Sequence, residues 1–175
     1  MTTSSSNTIM SPIVDRLLAR VASTSGELPP LQATQPFDQT LTAEIDTFAK
    51  QNSPNRPCVR AALHILNDDL ERAHKIAQDD EGDMSSNLCH AILHRREGDF
   101  WNSKWWYRQI KHPLIGQVYG GTSEAQAFVD SVESIVGGGG KRGGASTPCA
   151  AGNLNTLKRK QADELAQLVQ YVLEG

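Results

Sequence analysis

The sequence predicts an all-α fold of antiparallel helical hairpins with a C-terminal capping helix, and three observations carry that prediction. Apolar residues recur at intervals of three and four along most of the chain, as the buried stripe of a helix requires. A shift of 30 residues lays Asp69 on Asp99, Ala61 on Ala91, Leu63 on Leu93, His64 on His94, Leu70 on Phe100, Ala73 on Ser103 and Ala77 on Tyr107. That is a degenerate two-copy echo of a helix pair. Residues 154–173 then carry a long amphipathic pattern after a glycine-rich break.

The chain of 175 residues suits one domain with a real core, and its formal net charge of −3 argues against a general nucleic-acid binder while leaving room for a local basic patch. Cys58, Cys89 and Cys149 are odd in number, widely spaced and free of a CxxC pair. They indicate neither a disulfide framework nor a zinc ribbon, and point to a reducing compartment. A cytoplasmic or nuclear address follows. The hydroxyl-rich start MTTSSSNTIMSPIVDRLLARVAS leaves a mitochondrial one open, although Asp15 is out of place in a transit peptide. No stretch reaches the roughly 20 apolar residues that span a bilayer.

Residues 1–40 read as a flexible N-terminal segment with one short helix over 12–22, where Ser11-Pro12 starts it and Ile13, Leu17, Leu18 and Val21 line one face. Gly26 and three prolines make the following stretch a linker. Residues 41–175 form a single helical domain. A helix beginning near Thr42 carries Ile45, Phe48 and Ala49, and the run from Asn52 to Pro57 breaks it.

The first hairpin pairs a helix over 58–66 with one that sets Leu70, Ala73, Ile76 and Ala77 on one side. The second hairpin, over 86–112, begins with Ser85 or Ser86 as cap and packs Leu88, Ala91, Ile92 and the stem of Arg95. Gly98-Asp99 turns it into a helix with Phe100, Ser103, Trp106, Tyr107 and Ile110 toward the core. Residues 114–121 read as an irregular, glycine-broken return. Ala125, Phe128, Val129, Val132 and Ile135 mark another helix.

The glycine-rich stretch 137–152 is expected to be a mobile loop. A phosphate-binding loop ending at Lys141 would need glycine at 135 and Ser or Thr after the lysine, where this chain has Ile135 and Arg142. The last helix buries Leu157, Leu165, Leu168, Val169 and Val172. Its opening Lys158-Arg159-Lys160 opposes the helix dipole, which points those side chains to solvent or to a partner.

The run Gly98-Asp99-Phe100, Ser103, Trp106-Tyr107 and Pro113 resembles the second helix of a tetratricopeptide unit, without the tryptophan and glycine positions of that family's first helix. The longer segment HRREGDFWNSKWWYRQIKHP resembles one found in small helical proteins of bacteria and fungi. These resemblances imply a fold and supply no catalytic residues.

Two chemical readings of the residues follow. His90 and His94 lie four apart, so one helix face presents both imidazoles, as a two-histidine metal site needs. His64 is the counterpart of His94 in the echo, and Glu97 lies one turn on. His64, His90, His94 and Glu97 are therefore candidates for a divalent metal or for acid–base catalysis, with interface histidines as the plain alternative. Cys89 reads as a small buried residue and not as a nucleophile, because adjacent helix positions point about 100° apart and away from His90.

The other reading takes Trp101, Trp105 and Arg108 as a second arc, joined by Lys104, Arg95 and Arg96 into an aromatic and basic surface. Such a surface suits a protein or acidic peptide. The acidic balance of the chain argues against RNA. The plain reading of the arc is that it packs beneath the last helix or the 114–121 return. The favoured expectation is an intracellular interaction or adaptor module needing no cofactor; the contrasting one is a small metal-dependent or acid–base enzyme at His64, His90 and His94.

Overall fold

The computed structural model describes residues 11–22, 27–137 and 154–175. Residues 1–10, 23–26 and 138–153, among them Gly26 and Cys149, lie outside them, and with them the expectations for the N-terminal tail and the glycine-rich stretch. Among the described residues there are nine helices and no strand: α1 Pro12–Ala22, α2 Leu41–Asn52, α3 Pro57–Leu66, α4 Leu70–Gln78, α5 Met84–Glu97, α6 Phe100–Gln109, α7 Pro113–Tyr119, α8 Thr122–Val136 and α9 Leu154–Glu174. None of these helices is long and apolar enough to cross a membrane.

Helices α3 and α4, and α5 and α6, occupy the stretches where hairpins are expected, and the turns between them share one geometry. The carbonyl of His64 accepts the Asp69 N–H at 2.9 Å, and the carbonyl of His94 accepts the Asp99 N–H at 2.8 Å. Asp68 and Gly98, partners under the shift of 30, both have positive φ, +59° and +91°. That backbone region is open to glycine and, among other residues, is visited most readily by Asn and Asp. Small residues then let the helices approach. Ser103 of α6 is buried against α5 and donates its hydroxyl to the Ala91 carbonyl at 2.7 Å.

Helix α4 packs between α3 and α5, while α9 runs back over α3 and meets α1, α7 and α8. The core is a single cluster to which α3, α5 and α9 contribute Leu63, Ile65, Ile92, Leu93, Leu165 and Leu168, all essentially inaccessible. Each such side chain contributes about 1.5–3 kcal/mol through burial. The apolar stripes expected on α4, α8 and α9 are the ones that face this core.

Several details differ from the sequence expectation, most of them because a tertiary contact outweighs a local signal. The part of residues 1–40 that is described is packed in place. Ile13, Val14, Leu17, Val21 and Leu31 join the core, the Ala33 N–H donates to the Arg96 carbonyl at 3.2 Å, and the Phe37 N–H donates to the Asn67 carbonyl at 2.7 Å. The cap of α5 is Asp83, not a serine; its carboxylate accepts from the N–H groups of Ser85 and Ser86.

Residues 113–119 form a short helix instead of an irregular return. His112 caps α7, accepting the Leu114 N–H at Nδ1 at 3.2 Å, and its Nε2 lies 3.2 Å from the Ser85 hydroxyl. The basic start of α9 also has a use inside the fold. Arg159 donates to the Val21 carbonyl at 3.3 Å and Lys160 to the Val118 carbonyl, so these cations meet the negative ends of α1 and α7.

Candidate metal centre

Helix α5 departs most from expectation because it is buried on all sides: every residue from Leu88 to Arg96 is inside. A helix between neighbours on every face must either be apolar all round or find partners for its polar groups. Here the polar residues go in two directions, toward ion pairs and toward a histidine cluster.

Arg95 and Arg96, expected on a partner surface, belong to the ion pairs. Arg95 reaches Glu164 of α9 and approaches the Tyr107 and Tyr119 hydroxyls at 3.2 and 3.4 Å. Arg96 points the other way, to Asp68 at 2.5 Å and to the Ile65 and Pro30 carbonyls. Both side chains are inaccessible to solvent, so neither can contact a partner. Isolated buried charges are costly, and these persist because each is matched to a carboxylate.

The histidine cluster lies where α4, α5 and α6 meet. His90 and His94 stack nearly parallel, with ring centroids 5.1 Å apart and planes 3° from parallel. His74 of α4 stands edge-on to both, at 4.9 and 4.8 Å. Trp106 of α6 closes the far side by stacking on His90 at 4.4 Å. One nitrogen from each of His74, His90 and His94 can be chosen so that all lie within 4.8 Å of one another.

His64 is not in this group. It is wholly buried in the first hairpin, with Nε2 at 3.1 Å from Asp46 and Nδ1 at 3.4 Å from Asp69. Its place in the cluster is taken by His74, for a geometric reason. Helix α4, the second helix of the first hairpin, packs against α5 and sets His74 rather than His64 beside His94. The signal available in the sequence was the spacing Leu70 to His74, which sets this imidazole beside the buried stripe of α4.

Glu97 does join the cluster, as an orienting group. Its carboxylate accepts from His74 Nδ1, with the two oxygens at 3.1 and 3.2 Å, and one oxygen lies 3.6 Å from His94 Nδ1. That hydrogen bond raises the His74 pKa, and it leaves Nε2 as the ring nitrogen free to act as a ligand. Burial, with His74 and His94 close by, pushes His90 down to about 4. Burial and His74 also lower His94, against the opposing pull of Glu97 and Asp99. Both inner imidazoles are thus neutral at pH 7, which is the form that binds metals. Their Nδ1 atoms are buried and have no hydrogen-bond partner among the described residues. A buried nitrogen left in that state costs about 1–3 kcal/mol.

Bonds of about 2.0–2.1 Å to a tetrahedral ion set ligand nitrogens about 3.4 Å apart, so the widest pair here would have to close by about 1.4 Å. Three imidazoles suit zinc, copper, nickel or ferrous iron and do not suit magnesium or calcium. Beside this group a cleft of about 600 Å³ is lined by His74, Glu97, Lys75, Glu71 and the chain at 33–36.

The remaining candidates are spread out. Trp101 is 66% exposed and Trp105 38%, whereas Trp106 is partly buried over His90. Lys104 is engaged by Asp130 at 2.6 Å and Glu133 at 3.3 Å, and Arg108 by Gln126 at 3.2 Å. The proposed basic surface therefore loses Arg95 and Arg96 to the interior, and Lys104 is neutralised. Cys89 is fully enclosed, and burial pushes its thiol well above the ordinary range, which removes any nucleophilic role. No family model, curated protein or solved structure matches the chain.

Proposed function

We propose that this protein binds a divalent transition-metal ion through His74, His90 and His94, with Glu97 orienting His74. The observation that supports this most directly is the convergence of three imidazoles in which two buried Nδ1 atoms lack any hydrogen-bond partner among the described residues. A cation at that point satisfies nitrogens that otherwise weaken the fold. In metal-stripped protein, calorimetric titration with zinc is expected to show one ion bound per chain. His74→Ala, and His90→Ala with His94→Ala, should weaken binding by about two orders of magnitude or more while the helical CD spectrum persists. His64→Gln should leave it unchanged. Zinc that does not bind, or binds equally well to the double variant, overturns the assignment.

A second reading rests on the outward face of α6. Two indoles four residues apart, one of them two-thirds exposed, are an unusual surface for water, and aromatic anchors of this kind dominate protein interfaces. On this reading the tetratricopeptide-like hairpins serve as an interaction scaffold whose partner docks over Trp101 and Trp105. With the basic residues internal or paired, the partner's contribution is an apolar one more than an acidic one. Trp101→Ala with Trp105→Ala is expected to keep the CD spectrum and the urea midpoint while abolishing partner capture in a pull-down. Loss of the fold in that variant would show instead that the indoles are structural.

A further inference from the structure

We infer that an ion held by His74, His90 and His94 keeps one coordination position open to the cleft and takes a small monoanion there, such as a carboxylate, with Lys75 as the countercharge on the wall. This rests on the metal-binding reading above and adds what the ion is exposed to. Ligand number gives the first argument. The described residues bring three ligand groups together, and a zinc-like ion needs a fourth donor. Glu97 is the nearest candidate, but both its oxygens are drawn to His74 Nδ1, where it acts as an orienting carboxylate.

The second argument is the uneven burial of the three imidazoles. His90 and His94 are 3% and 7% exposed and lie behind His74 without lining the cleft, with Trp106 stacked on His90. His74 is partly exposed and lines the cleft together with Glu97. A fourth ligand can therefore enter from the His74 side, and the cleft is large enough for several non-hydrogen atoms.

Charge supplies the third argument. Three neutral imidazoles bring no negative charge, and the nearby Glu97 and more exposed Asp99 carboxylates offset the ion's double positive charge only in part next to a low-dielectric wall, which favours a small anion over a neutral ligand. Asp68 on the cleft wall is already paired with Arg20 and Arg96, and Asp69 is engaged by His64, Thr42 and Arg72. Lys75 has no side-chain partner among the described residues, so its cation is available to the cleft. Glu71 lines the same cleft, which disfavours a polyanion and restricts the ligand to a single negative charge.

Cobalt(II) in place of zinc tests this, because its visible bands report the number and kind of its ligands. Metal-stripped full-length protein is titrated with cobalt and then with azide as the anion probe. Cobalt bands are expected, azide should shift them saturably, and acetate should compete. Lys75→Glu should bind cobalt as the parent does but need several-fold more azide. Glu97→Gln should bind cobalt about 10–100-fold more weakly yet still respond to azide. Bands that azide does not move overturn the open position while leaving metal binding intact. Cobalt that gives no bands overturns the metal assignment itself, and an unchanged azide response in Lys75→Glu removes that lysine's role.

Discussion

Replacing Glu164 with alanine is expected to cost about 3–5 kcal/mol of folding stability, measured by urea denaturation followed by CD. Glu164 lies on α9 and its carboxylate is the sole acidic partner of Arg95 among the described residues; the Arg95 side chain is inaccessible. It also accepts from the Tyr107 hydroxyl at 2.9 Å and from the Tyr119 hydroxyl. Burial and the neighbouring Glu164 charge hold both phenols far above the ordinary tyrosine range, so they remain protonated donors. The Phe128 ring lies 4.8 Å from the guanidinium carbon and cannot replace a carboxylate.

Removing the carboxylate leaves a buried guanidinium without a counter-charge and two hydroxyls without the oxygen they donate to, at the place where α5, α6, α7 and α9 are tied together. Removing both charges has a different consequence. Glu164→Leu combined with Arg95→Met should recover most of the loss, because well-packed apolar groups of similar volume often replace a buried ion pair at little cost. A loss below about 1 kcal/mol in Glu164→Ala would mean that water reaches Arg95 and that the network contributes no more than a surface ion pair.

Asp68→Asn is expected to cost about 3 kcal/mol or more, by the same logic at the other end of α5. This single carboxylate accepts from Arg96 at 2.5 Å on one oxygen and from Arg20 on the other, and both pairs are shielded from solvent. Asparagine keeps the size and tolerates the positive φ of this turn, so the substitution isolates charge from backbone strain. Neutralising Asp68 would set two guanidinium groups side by side without a counter-ion. Thermal unfolding should show the loss, and adding Arg20→Met should restore part of it by removing the unpaired cation. An Asp68→Asn variant as stable as the parent would overturn the view that α1 is held to the α3–α4 turn by this charge.

Much of the fold was legible because helix formation is read over four residues at a time. The spacings Leu70, Ala73, Ile76, Ala77 and Leu157, Leu165, Leu168, Val172 mark faces that are buried in the structure. The shift of 30 that relates Asp68 to Gly98 and Asp69 to Asp99 reappears as two turns with matching hydrogen bonds. Helix α7 was hidden because Gly116, Gly120 and Gly121 weaken every local helical signal, and its start depends on a cap from His112 that itself leans on Ser85 of α5.

The candidate site was legible only in half. His90 and His94 share a face because four residues of α-helix bring them round together, a purely local fact. Their third partner could not be found in that way. His64 shares their place in the echo and lies elsewhere, held by Asp46 and Asp69, while His74 has no counterpart among them and completes the cluster. Likewise, Arg95 and Arg96 have the composition of a surface, and burial followed from carboxylates 69 and 28 residues away in the chain. By itself the sequence determined which residues lie on one helical face. The tertiary structure alone decided which faces meet, because the rotation of one helix against the next is set by side-chain packing between distant segments, and a turn of about 100° exchanges one residue for its neighbour.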